Sequence, residues 1–442
     1  MRIKRRSFLP RAWLALVSVL ALAACGSKEE VLKPSPLPDI SPAVRFDSAW
    51  SADTGAGSAA EGLALVPALS GEAVYTADDQ GRLAARDRRR GKRLWQHHTG
   101  QPFSAGPAVA YNQVFVGTRE GELLAYSAQD GELLWRVQLG GEVLAVPAVS
   151  GDAVAVKTSD GHVTLVDRVG GVVRWVYDGG AAPLALRASS SPLLLDDAVL
   201  VGMPTGELVA LERATGQLIW ERRIAEPSGK SELDRLVDIA GDFVVRDDRI
   251  FVATYQGRLV ALNLHNGQFA WQQPLSTFQP VAATNDRVFV ADADGVVSAV
   301  RSEDGVVLWR IDSLRGRRVT GAALLGDWLL AGDFEGWVHV IRQADGLLVG
   351  RRKVDGDGIA LPPVVDEGTV FALGRGGRLG VFRVEWRDEV PPLPVPATPQ
   401  AKATPQTEAA LQTEAAPQAD SAPQPEATPQ PEAASSPGAA TP

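Results

Sequence analysis

The sequence predicts an all-β protein, an eight-bladed β-propeller of four-stranded blades whose ring is closed by the N-terminal strand. Three observations predict it. A glycine that opens an alternating strand recurs at Gly81, Gly121, Gly161, Gly206, Gly257, Gly295, Gly336 and Gly377, at spacings of 38 to 51 residues. A second glycine follows ten residues after each of the first seven, and six of those seven carry a tryptophan four residues further on: Trp95, Trp135, Trp175, Trp220, Trp271 and Trp309. No stretch of the repeat region shows a sustained 3.6-residue periodicity, so helices are not expected there.

One copy shows why the unit is a blade. In Gly206-Glu-Leu-Val-Ala-Leu-Glu-Arg-Ala-Thr-Gly216-Gln-Leu-Ile-Trp220 an apolar strand runs into a tight turn, where glycine takes a positive φ without steric cost, and then returns. A strand such as Asn112-Gln-Val-Phe-Val-Gly117 precedes each opening glycine, and a short Pro-Ala-Val strand precedes that, as at Pro107-Ala-Val109. Four short strands in about 40 residues are the signature of a propeller blade. The eighth opening glycine has no Gly…Trp return behind it, whereas Trp50 stands ahead of the first with no partner. Val44 to Trp50 therefore supplies the outer strand of the last blade, which leaves no open edge in the ring. The repeat tryptophans, Trp50 included, are read as wedges between blades, since a large aromatic buries on the order of 150–250 Å². Gly350 stands where the seventh return should have tryptophan, so that blade contact is expected to be the least well packed.

The propeller spans 43–387, and the flanks are of another kind. Residues 1–24 hold Arg2, Lys4, Arg5, Arg6 and Arg11, no acid, and an apolar run from Ala12 to Ala24. That is the pattern of a secretory signal peptide, and the run is shorter than the roughly 20 apolar residues a membrane span needs. It ends Leu22-Ala23-Ala24-Cys25-Gly26, which resembles a bacterial lipobox. On that resemblance Cys25 becomes the first mature residue, S-diacylglycerylated and N-acylated, in a palmitate-bearing lipoprotein. Gly26 rather than Asp at the next position points to the outer membrane, on its periplasmic face. Several acyl chains, at about 0.8 kcal/mol per buried CH₂, anchor stably where one would not. Residues 25–42, rich in proline, read as a flexible tether. Residues 388–442, almost all Pro, Ala, Gln, Thr, Ser and acid, read as a disordered tail without enough apolar surface to fold.

Composition removes several functions. The net charge of −9 falls to about −14 once the five cations of the leader are removed, which argues against nucleic acid. A single cysteine excludes an internal disulfide framework and multi-cysteine metal sites. No Gly-x-Ser-x-Gly elbow is present. Gly229-Lys230-Ser231 mimics the end of a phosphate loop, but Ile224 stands where that motif needs glycine. His97 and His98 are adjacent in a strand and point to opposite faces. No catalytic residue, metal ligand or cofactor is therefore assigned, and the chain is not read as an enzyme. The two longest repeat intervals contain Leu184-Ala-Leu-Arg187 and Ser231-Glu-Leu-Asp234-Arg235-Leu-Val-Asp238, and Ser231 with Asp234 can cap a short turn.

The repeat Gly-x-Leu-x-Ala-Leu-x-x-x-Thr-Gly-x-x-x-Trp resembles propellers related to pyrroloquinoline quinone dehydrogenases, whose adjacent-cysteine disulfide this chain cannot make. With the lipobox and eight repeats, residues 20 to 387 more closely resemble the BamB family, lipoproteins of the outer-membrane β-barrel assembly machine. The resemblance implies a scaffold that docks on the periplasmic POTRA domains of BamA, beside the other Bam lipoproteins, and assists insertion of unfolded β-barrel substrates. It would act as a monomer within that hetero-complex. It also implies that Leu184, Leu186, Arg187 and Asp238 meet the partner, with Asp234 and Arg235 meeting it too or holding the loop shape. The family often has a second acid two residues after Asp238, where this chain has Ala240. A quinone-dependent dehydrogenase and another lipid-anchored envelope module are the alternatives.

Overall fold

The structure is a computed structural model that describes residues 32–57, 62–182 and 184–387. The leader, Cys25 and the C-terminal tail lie outside the described residues. Among the described residues there is no helix, and eight four-stranded antiparallel sheets follow one another as the blades of a ring. Seven blades are continuous in sequence: 68–98, 103–138, 148–178, 193–223, 244–274, 282–311 and 323–353. The eighth takes three strands from 364–386 and its outer strand from Val44–Asp53. That strand pairs antiparallel with Arg378–Trp386, from Val44 opposite Trp386 to Asp53 opposite Arg378. The expected closure is present and runs three residues beyond Trp50.

Blade 3 shows how the repeat folds. Its inner strand Ala148–Ser150 is short. The two middle strands, Ala153–Lys157 and His162–Asp167, are buried along almost their whole length because neighbouring blades cover both faces. They accordingly read as apolar runs rather than as alternation. The outer strand Val173–Asp178 does alternate, with Trp175 turned inward. Every blade has a β-bulge in its outer pair beside the tryptophan position, which twists the exposed edge and blunts it against further pairing.

The repeat glycines and tryptophans meet across the blade boundary. Each outer-strand indole lies on the turn glycine of the next blade: Trp50 on Gly91, Trp135 on Gly171, Trp309 on Gly346, and likewise for the other four. A Cβ on these seven glycines would stand 2.5–2.7 Å from its nearest neighbour, an indole carbon in six cases and His97 at Gly131. Six of the indole N–H groups donate to a carbonyl of that next blade, as Trp135 does to Arg168 at 3.0 Å. The wedge is thus a stacked and hydrogen-bonded seat. At Gly350, expected to mark the weakest contact, the missing indole leaves no gap. A Cβ there would collide with Val44, the Ala43 N–H donates to the Val349 carbonyl at 2.8 Å, and Val44, Val349, Trp328 and Phe382 share one buried cluster. The incoming N-terminal strand fills the space that tryptophan fills elsewhere.

Two further segments depart from expectation. Ala64–Leu65 adds a fifth strand, parallel, to the inner strand Phe103–Ala110 of blade 2. The described part of the expected tether is docked on the ring rather than free. The Ser35 N–H donates to Arg315, Arg317 donates to the Ser35 carbonyl at 3.0 Å, and Arg351 donates to that of Pro38 at 2.7 Å.

Candidate docking surface

The inter-blade loops that leave an outer strand and enter the next inner strand share one face of the ring with the opening glycines. Two of them explain the long repeat intervals. The first joins Val173–Asp178 to Leu193–Leu194, and the second joins Leu218–Arg223 to Val244–Arg246. On the first, Leu184 is 41% exposed, Leu186 is half-buried, and the exposed Arg187 pairs with Glu142 at 2.7 Å. On the second, residues 231–235 form an exposed capped turn. Asp234 accepts the Ser231 and Lys230 amides at 3.0 and 3.3 Å, the Ser231 hydroxyl accepts the Asp234 amide, and Arg235 donates to the Gly229 carbonyl. Asp234 and Arg235 therefore shape the loop.

The chain then dives inward, and Asp238 goes with it. Asp238 is only 2% exposed, so the expectation that it contacts a partner directly needs correcting. Its carboxylate accepts the Leu186 N–H at 3.2 Å, and its carbonyl accepts the Tyr255 N–H at 2.9 Å. One residue thereby ties the two loops together through its side chain and the second loop to blade 5 through its backbone. The structure thus brings Leu184, Leu186, Arg187 and Asp238 together across 52 residues of sequence. A cleft of about 240 Å³ between the loops is lined by Glu142, Lys157, Leu186, Arg187 and Asp238. Beside it the ring's central cavity, about 510 Å³, is walled mainly by apolar groups such as Leu63, Leu144, Phe243 and Phe278. Gly62, on the segment that crosses this face, lies so close that a Cβ would collide with the Arg187 carbonyl.

The sequence profile described as "Outer membrane protein assembly factor BamB" matches residues 45–104, 81–311 and 280–392. A protein so described from Alkalilimnicola ehrlichii is 49% identical over 374 residues, which is 85% of this chain and 97% of that relative. The chain belongs to the BamB family. Its fold agrees with a BamB-family crystal structure from Moraxella catarrhalis, with 26% identity, a TM-score of 0.71 and coverage of 77% of this chain and all of the other. A quinohemoprotein alcohol dehydrogenase from Comamonas testosteroni aligns at 12% identity and a TM-score of 0.61, a likeness of fold alone. Among the described residues no three of His, Cys, Asp and Glu are grouped to hold a metal ion.

BamB resemblance placed a second acid where this chain has Ala240, which is 5% exposed. Two residues further on, Asp242 accepts the Ser191 N–H at 2.6 Å. Sequence reasoning did not single out Asp242, Glu142, Lys157 or the 69%-exposed Leu233. Only Lys157 left a signal there, as the one cation in the apolar strand Ala-Val-Ala-Val-Lys.

Proposed function

We propose that this chain is a non-enzymatic, lipid-anchored scaffold of outer-membrane protein assembly. Cys25 holds it to the periplasmic face of the outer membrane, and the loops at 184–187 and 231–238 dock on the POTRA domains of BamA. The observation that carries the reading is the Leu186–Asp238 bond, which joins the two family loops into one surface on which Leu184 and Arg187 are exposed. The printed name of the relatives, an assembly factor, supports the same reading. Arginine is favoured in small interface hot spots, whereas leucine alone is not, so the Leu–Arg pair is the natural anchor. On this reading the partners also include the other Bam lipoproteins and unfolded β-barrel substrates.

The test is co-purification of BamA from solubilised outer membrane. The double variant Leu184→Ala, Arg187→Ala should keep the wild-type melting curve and weaken capture by about 2 kcal/mol, roughly thirtyfold. Undiminished capture by the folded variant would remove these loops from the interface. Cys25→Ala should leave the chain unlipidated by mass spectrometry, and acyl chains found on that variant would refute the lipid anchor.

A further inference from the structure

Lys157 breaks the pattern of its own repeat. It ends the second strand of blade 3, where its backbone lies opposite Val163. The equivalent positions of the other blades are Ala77, Gly117, Gly202, Ala253, Ala291, Gly332 and Leu373, each opposite the residue six places on. Seven blades are thus small or apolar where blade 3 carries an ammonium, and that ammonium is buried, with Lys157 only 2% exposed. Its Nζ donates to the Ser190 hydroxyl on the first docking loop at 3.3 Å and to the Gly202 carbonyl in blade 4. Asp238, which lines the same cleft, and Asp242, both on the second loop, supply its opposing charge through space rather than as ion pairs. Each of those carboxylates in turn accepts an amide of the first loop, Leu186 for Asp238 and Ser191 for Asp242.

We propose that Lys157 is the positioning residue of the docking surface, a buried cation that holds both loops inward through Ser190, Asp238 and Asp242. A buried charge is tolerated only with a partner, so removing the ammonium leaves the buried Asp238 carboxylate uncompensated and drives it toward water, while the exposed Asp242 loses a nearby positive charge. The first loop then loses its anchors at Leu186 and Ser191 while the blades stay intact. Burial pulls the Lys157 amine down to about 8 and pushes Asp238 up to about 7. The other charges lining the cleft are Arg187 and Glu142, already paired with each other.

The inference rests on the reading that these loops dock on BamA, and the test separates the two. Lys157→Met, Lys157→Arg and the double variant Leu184→Ala, Arg187→Ala are compared in the full-length lipoprotein. The readouts are BamA capture, tryptic cleavage after Arg187 and thermal unfolding. Lys157→Met should unfold as cooperatively as wild type, be cut after Arg187 at least fivefold faster and lose at least tenfold in capture, with Lys157→Arg recovering part of both. If the double variant loses capture while Lys157→Met behaves as wild type, Lys157 does not position the loops. If Lys157→Met is cut faster yet the double variant captures normally, the docking reading fails and the positioning role stands. Should Lys157→Met not fold, Asp242→Asn carries the same test, and wild-type cleavage and capture in it would overturn the proposal.

Discussion

Asp238 is a carboxyl group under opposed forces. Burial raises its proton affinity from the ordinary 3.8 to about 7, while Lys157 and the Leu186 and Ile239 amides pull the other way. Between about pH 4 and 7 the folded chain therefore keeps a proton that the unfolded chain has released. The unfolding free energy should fall as pH rises through that window, by up to about 1.4 kcal/mol per unit. Lys157 acts in a separate window. Its folded value near 8 lies below the ordinary 10.5, so its burial cost is relieved only as pH climbs above about 8. Asp238→Asn should flatten the decline between pH 4 and 7 in denaturant titrations. An unchanged slope in that variant would assign the dependence to other groups. The role of Asp238 was only half legible in the sequence. Its motif marked it as functional, but whether it faced a partner or the interior depended on Leu186, 52 residues away.

The tryptophan–glycine seat belongs to the scale of the element. It places two demands on a turn glycine, a positive φ and an open face for the indole. Gly171 has both, with φ +69° and Trp135 against it, whereas Gly180 has φ +79° and nothing within 4 Å. Gly180→Ala should therefore lose only the left-handed backbone term, about 1 kcal/mol. Gly171→Ala adds the clash with the indole and should lose about 2–4 kcal/mol. Equal losses in chemical denaturation would show that the indole seat contributes nothing. Gly350 is the informative exception. Repeat arithmetic marks it as a gap, but it lies beneath Val44, and a side chain there would displace the strand that closes the ring.

Across the whole molecule, closure and the strap are one device. From Ser35 the chain runs along the edge of blade 7, past Arg351, to Ala43 at the opposite face, then turns back as the outer strand of blade 8. Its start is clamped by Arg317, itself 2% exposed and held by Asp333, which also takes a hydrogen bond from His339 at 2.9 Å. The Arg315–Arg317 loop lies on the opening-glycine face, where Gly316 donates to Asp294 and Phe334 to Arg317. The chain toward the proposed anchor therefore leaves from the face that carries the docking loops, with seven residues between Cys25 and Lys33 and a reach of about 30 Å at full extension. Hydrogen exchange should find the Ser35 and Ala43 amides protected, and free exchange at both would show that the strap is not held.

The division between sequence and structure follows from the range of the forces involved. Strand, turn and blade count are local and repeated eight times, so periodicity alone determined the all-β ring, and the unpartnered Trp50 alone determined how it closes. What the tertiary structure decided depends on residues far apart in the chain. It buried Asp238, joined Asp242 to the first loop through Ser191, laid Val44 over Gly350, docked residues 33–43, and put an ammonium beneath two loops. In each case a charge or a gap is resolved by a neighbour that no local pattern names, because burial is a property of the packed ring and not of the segment.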